Sequence, residues 1–123
     1  MPNPPKRVLL ADDQPVGREL VRTALEAVGY EVVEAVDGED ALETARSSAP
    51  DLILLDIHMP RRDGISVVKE LRSDPRFQTV PILALTATAM KGDRQKGLDA
   101  GFTEYLTKPL SLTELRDVIA RFL

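Results

Sequence analysis

LILLDIHMP, residues 52–60, runs through four consecutive apolar positions and then ends on a carboxylate, Asp56, with a turn-forming Met59-Pro60 just beyond it. A strand that is apolar at every position must be covered on both faces, which places it at the centre of a parallel sheet. Working outward, RVLLA (7–11) and VPILALT (80–86) repeat the buried-strand pattern. EVVEAV (31–36) mixes charge into a β-branched run, as an exposed edge strand does, and EYLTK (104–108) is a short fifth strand. Between them the spacing turns helical. From Pro15 the residues Val16, Leu20, Val21, Ala24, Leu25 and Val28 form one stripe, stopped at Gly29. Asp37-Gly38 opens a second helix that ends near Pro50, and Ile65, Val68 and Leu71 mark a third over 64–73. The last helix, 111–122, is opened by Ser111 with Glu114 three residues on, and carries Leu112, Leu115, Val118, Ile119 and Phe122 on one stripe. The fourth, KGDRQKGLDAG, has two internal glycines and few apolar residues, and is expected to be the least stable. Strand and helix alternate five times, which predicts an α/β, doubly wound five-stranded parallel sheet with helices on both faces.

Composition narrows the function classes. A chain of 123 residues that is 43% hydrophobic buries a core as one domain without disulfides or structural metals. The Pro-rich start predicts a flexible tail over 1–6 and a domain over 7–123. The absence of cysteine excludes thiolate metal and redox sites and suits a reducing cytoplasm. No apolar run approaches membrane-spanning length, and the start lacks the apolar core of a signal peptide, so no membrane association is expected. A net charge of −4 with mixed signs lacks the concentrated basic face that phosphate backbones require, so no nucleic-acid partner is expected either.

In a doubly wound sheet, ligands bind beyond the carboxyl ends of the strands. Those positions hold Asp12 and Asp13 after strand one, Asp56 after strand three, Thr86 after strand four and Lys108 after strand five. If strands one and three are neighbours, their ends lie about 5 Å apart. Two ionised carboxylates at that spacing repel by roughly 3 kcal/mol at an effective dielectric near 20, and a third adds to this. The cluster calls for a cation, and an all-oxygen donor set without cysteine or clustered histidine suits Mg²⁺ rather than zinc. A divalent ion attracts phosphate in turn. With Lys108 as a fixed positive charge and Thr86 as a hydroxyl donor, the edge is suited to handling a phosphoryl group.

ADD (11–13), DIHMPRRDG (56–64), LTATA (85–89) and YLTKP (105–109), in this order and spacing, resemble the receiver domains of response regulators in two-component signalling, across residues 7–122. The resemblance implies a CheY-like, flavodoxin-like (βα)5 fold with strand order 2-1-3-4-5. It implies Asp56 as phosphoacceptor, with Asp13 binding Mg²⁺ directly and Asp12 mostly through water. Asp56 and the backbone carbonyl of His58 would be further ligands. Thr86 would hydrogen-bond the phosphoryl group, Lys108 would pair with it, and Tyr105 would be a switch aromatic that turns inward as Thr86 is drawn to the phosphate. The Lys108–Pro109 peptide is expected to be cis. The implied partners are a histidine kinase or histidine phosphotransfer protein as donor, and a downstream protein that reads residues 90–123. AMKGD (89–93) resembles single-domain regulators of the DivK type and the receivers of hybrid kinases. A stand-alone regulator is expected, with a receiver excised from a hybrid kinase or longer regulator as the alternative.

The chain departs from the family pattern at Arg62, where an apolar residue is more usual. His58 and Thr88 occupy positions that tune acyl-phosphate lifetime in the family. Each site residue also has a plainer reading. Read alone, Asp12 and Asp13 would cap helix one, Thr86 would cap a helix, Tyr105 would be a half-buried ring, and His58 would be a solvent-facing side chain rather than a phosphoryl donor. Two other classes share parts of the pattern. An Asp-nucleophile phosphatase of the haloacid-dehalogenase type needs a second acid two residues after the nucleophile, where this chain has His58. A flavin module needs a Ser/Thr/Gly-rich loop after strand one, where this chain has DDQPVG, and stacking aromatics, whereas there is no Trp.

Overall fold

The computed structural model describes residues 4–86, 91–108 and 111–123, with the side chains of 91–94 left aside. The chain runs β1 (Arg7–Ala11), α1 (Pro15–Ala27), β2 (Glu31–Ala35), α2 (Gly38–Ser48), β3 (Leu52–Asp56), α3 (Gly64–Arg72), β4 (Ile82–Thr86), α4 (Lys91–Ala100), β5 (Glu104–Thr107) and α5 (Leu112–Phe122). A 3₁₀ turn, Pro75–Phe77, precedes β4. All strand pairs are parallel, and the order is β2-β1-β3-β4-β5.

Local chemistry starts and stops these elements where expected. Pro15 sits in the first turn of α1, where its missing N–H costs nothing. Asp37 and Asp63 accept from Asp40 N–H and Ser66 N–H, each at 2.8 Å, and so cap α2 and α3. Ser111 caps α5 through Glu114 N–H at 3.3 Å. Gly29, at φ +98°, follows α1 in the left-handed region that glycine enters without strain.

Strand alternation divides the core in two. Val8, Leu10, Leu52, Leu54, Leu83 and Leu85 face one side and are covered by α1 and α5. Leu9, Ala11, Ile53, Leu55, Ile82 and Ala84 face the other and are covered by α2 and α3, with Phe102 and Tyr105. β3 is buried at all five positions, as four successive apolar residues require. Each fully buried leucine contributes about 1.5–3 kcal/mol relative to exposure.

One feature differs from the sequence expectation, and a second lies outside it. Val16, Leu20 and Val28 do not face the core of α1: they are 82%, 57% and 50% exposed, and only Val21, Ala24 and Leu25 are buried. A short helix lying on a flat sheet inserts a narrow stripe, so the flanking apolar residues remain in solvent. The second is Arg72, which closes the sheet edge opposite the strand carboxyl ends. It donates to the carbonyls of Phe77 (2.6 Å), Val80 (2.7 Å) and Gly101 (2.9 Å). No carboxylate pairs with it among these bonds, and burial pushes its pKa down.

Candidate functional site

Register brings the predicted residues together. Ala11 pairs with Leu55, so the next residues, Asp12 and Asp56, end adjacent strands side by side. Thr86 pairs with Thr107, and Lys108 N–H donates to the Thr86 carbonyl at 2.7 Å, which fixes where the lysine leaves the sheet. By strand parity Asp12, Asp56 and Lys108 continue the α1/α5 face, while Thr86 and Tyr105 continue the opposite one.

Asp12 is 2% exposed, Asp56 5% and Thr86 2%. Burial of two carboxylates so close together requires compensation. Lys108 Nζ supplies it, 2.9 Å from Asp56 Oδ2 and 3.2 Å from Asp12 Oδ2. Burial alone would lower the lysine pKa, but the hydrogen bond and charge of Asp56, with those of Asp12, outweigh it and the net shift is upward. The remaining carboxylate oxygens are oriented by backbone: Asp12 Oδ1 accepts from Gln14 N–H and Asp56 Oδ1 from His58 N–H, both at 2.9 Å.

The capping role does not account for Asp12 and Asp13. The residue that precedes α1 is Gln14, whose side chain makes no capping bond, and Asp12 instead bonds Gln14 N–H and Lys108. Asp13 is exposed, yet one carboxylate oxygen each from Asp12, Asp13 and Asp56 lie within 4.8 Å of one another. Three hard oxygen donors that close, open to solvent on the Asp13 side, fit a Mg²⁺ ion that keeps part of its water shell. The His58 side chain faces solvent.

Tyr105 is 7% exposed, with its ring edge-on to Phe102 at 6.3 Å between centroids. It pairs in register with Ala84, two positions before Thr86 on the same face. Pro109 and Thr88 lie outside the described residues, and with them the expected cis peptide and one lifetime-tuning position.

Sequence reasoning missed two neighbours of the site. Arg18 donates to the Asp12 carbonyl at 2.8 Å and pairs with Glu34 at 3.5 Å, tying α1 to the loop that holds the acids. A groove of about 240 Å³, lined by Asp12, Gln14, Gly17, Leu20, Lys108 and Leu112, runs from the acids onto the exposed side of α1. The overlong apolar stripe of α1 was its signal.

Comparison with known proteins agrees with this geometry. The family model for the response regulator receiver domain matches residues 8–120. The polar-differentiation response regulator DivK of Brucella anthropi is 38% identical over 119 residues, 97% of each chain. The chemotaxis protein CheY4 of Vibrio cholerae superposes with a TM-score of 0.92 at 34% identity, over 97% of this chain and 99% of that one. The receiver domain of the sensor histidine kinase PA1611 of Pseudomonas aeruginosa, solved with a magnesium ion coordinated in its active site cleft, gives 0.89 at 37% identity, over 96% and 97%. Fold, acid cluster and relatives converge: the chain belongs to the response regulator receiver domain family and has the phosphoacceptor type of site used in two-component signalling.

Proposed function

We propose that Asp56 takes a phosphoryl group from a phosphohistidine on a histidine kinase or histidine phosphotransfer protein. The observation that carries this reading is the single ammonium, Lys108 Nζ, placed against both buried carboxylates, Asp56 at 2.9 Å and Asp12 at 3.2 Å. A purely structural ion pair needs one acid; a charge-balancing site for an incoming phosphoryl group needs acids to hold a metal and a cation to meet the phosphoryl oxygens.

An Asp56 carboxylate oxygen attacks phosphorus, the P–N bond to the donor imidazole breaks with its electron pair returning to nitrogen, and an aspartyl phosphate forms. Asp12, Asp13, Asp56 and the His58 carbonyl would hold Mg²⁺, which when bound neutralises charge on the transferring group. Lys108 keeps its proton and turns from the Asp56 carboxylate to the new phosphoryl oxygens. Thr86, at the end of the neighbouring strand, donates its hydroxyl to another of them. Water later hydrolyses the acyl phosphate, so the chain catalyses its own charging and discharging.

Thr86 and Tyr105 share a face, so a pull on Thr86 is passed to the packing of Tyr105 against α4, and a downstream protein reads residues 90–123. Among the described residues no helix is long and apolar enough to cross a membrane. A cytoplasmic place is proposed with the kinase partnership. Intact-mass spectrometry after incubation with a small-molecule phosphodonor tests the core of this reading. One added phosphoryl group is expected with Mg²⁺ and none without it, while a Mg²⁺-independent addition would contradict it.

A further inference from the structure

Three consecutive residues at the start of α2 grip three consecutive residues of the loop that leaves Asp56. A Cβ added to Gly38 would overlap the Arg62 carbonyl oxygen and stand 2.6 Å from Arg62 Cβ and 2.9 Å from its carbonyl carbon. Gly38 N–H points at the Pro60 carbonyl at 3.5 Å. On one side of this contact Asp37 Oδ2 lies 3.4 Å from Arg61 Nε, and on the other Glu39 Oε1 lies 3.6 Å from Arg62 Nε. Arg61 adopts φ +71°, a conformation L residues rarely take, so the loop is held against its own preference.

The far side of the loop is fastened to α3. Arg62 donates to Ser66 Oγ at 2.7 Å and to Glu70 Oε1 at 2.8 Å, and Glu70 also takes Arg46 of α2 at 2.9 Å. The loop is thus set between two helices within seven residues of Asp56, and its His58 N–H fixes the Asp56 carboxylate at 2.9 Å. None of Asp37, Gly38, Glu39 or Arg62 belongs to the acid cluster. Gly38 needs no glycine on backbone grounds, because its φ is not in the left-handed region; the close approach of the loop is what excludes a side chain.

We propose that Asp37, Gly38 and Glu39, acting with Arg62, are positioning residues for phosphoryl transfer, which seat the 57–63 loop so that Asp56 and the His58 backbone are presented to the metal. This rests on the reading of Asp56 and its acid neighbours as a Mg²⁺ site. The groups around a metal's ligands commonly change its affinity by about 10–100-fold when altered.

The test is a Mg²⁺ titration followed by NMR on the wild type, Gly38→Ala and Val118→Ala, the last a core truncation on the opposite face that lowers stability without touching the loop. Gly38→Ala should lose about tenfold in Mg²⁺ affinity and should shift the His58 amide resonance even in metal-free protein. Val118→Ala should do neither. A folded Gly38→Ala with wild-type affinity and an unmoved His58 amide overturns the proposal, as does an equal affinity loss in Val118→Ala. If Gly38→Ala does not fold, Arg62→Ala carries the same readout, and unchanged affinity and His58 shift there overturn it. A wild type that binds no Mg²⁺ would instead refute the metal site, and the positioning role with it.

Discussion

Lys108 Nζ stands 2.9 Å from Asp56 Oδ2, so the ammonium of the site is seated directly on the carboxylate proposed as the phosphoacceptor. A metal ion entering the same acids meets this ammonium as a competitor. Lys108→Gln should therefore bind Mg²⁺ about fivefold more tightly or better, since one nearby positive charge is gone. It should also accept phosphate more slowly, because a charge partner for the phosphoryl oxygens is lost. Calorimetry and a phosphorylation time course read the two effects, and weaker Mg²⁺ binding would contradict the competition.

The same contact has a pH signature. The lysine pKa is raised in the folded state, so its contribution to stability is complete below the ordinary value of 10.5 and is lost as pH rises through the higher folded value. Urea denaturation of metal-free wild type and Lys108→Gln should show a difference of about 1–3 kcal/mol near neutral pH. That difference should stay flat to about pH 9 and shrink only above the ordinary lysine value. A difference that disappears near neutrality would assign it to another group.

Leu20 is 57% exposed on α1 and lines the groove that reaches Asp12 and Lys108. A protein donor that delivers its phosphohistidine to Asp56 would pass over this apolar surface. Leu20→Asp should slow transfer from such a protein by at least about tenfold, the cost of losing an interface anchor. Charging by a small-molecule donor should be unaffected. Equal slowing with both donors would place the damage in the site itself.

Gly97 of α4 faces Tyr105: a Cβ there would overlap the ring at Cε2 and stand 3.2 Å from Cδ2. Alanine for glycine inside a helix ordinarily stabilises by about 1 kcal/mol. Overpacking costs about 1–3 kcal/mol, so Gly97→Ala should be neutral to destabilising, with Tyr105 forced from its edge-on contact with Phe102. Ring resonances of Tyr105 and the melting temperature report this. A more stable variant with unmoved ring resonances would show that α4 gives way instead.

The sheet was legible because each buried strand is written as an unbroken apolar run, and β3 alone implies a covered, central position. The acids were legible because they terminate such runs. What composition hid was approach: Gly38 reads as a turn residue, and only the folded chain shows Arg62 resting on it. Arg62, read as a departure from an apolar pattern, is absorbed by Ser66 and Glu70, in the first and second turns of α3. Val16 and Leu20 share the helical stripe of α1 yet stay exposed, because periodicity locates a stripe but not the width of it that is buried. The Pro75–Phe77 turn carries its own cap, Asp74 bonded to Arg76 N–H at 3.0 Å, yet three residues are too few to register as a periodic pattern.

The most direct test of the account is to locate the phosphoryl group. Charging the protein with a small-molecule phosphodonor and Mg²⁺, reducing the acyl phosphate with borohydride, and sequencing the peptides by mass spectrometry converts the phosphorylated aspartate to homoserine. The account predicts homoserine at position 56 and at no other aspartate, with none in Asp56→Asn. Homoserine at Asp12 or Asp13, or persistent labelling of Asp56→Asn, would contradict it.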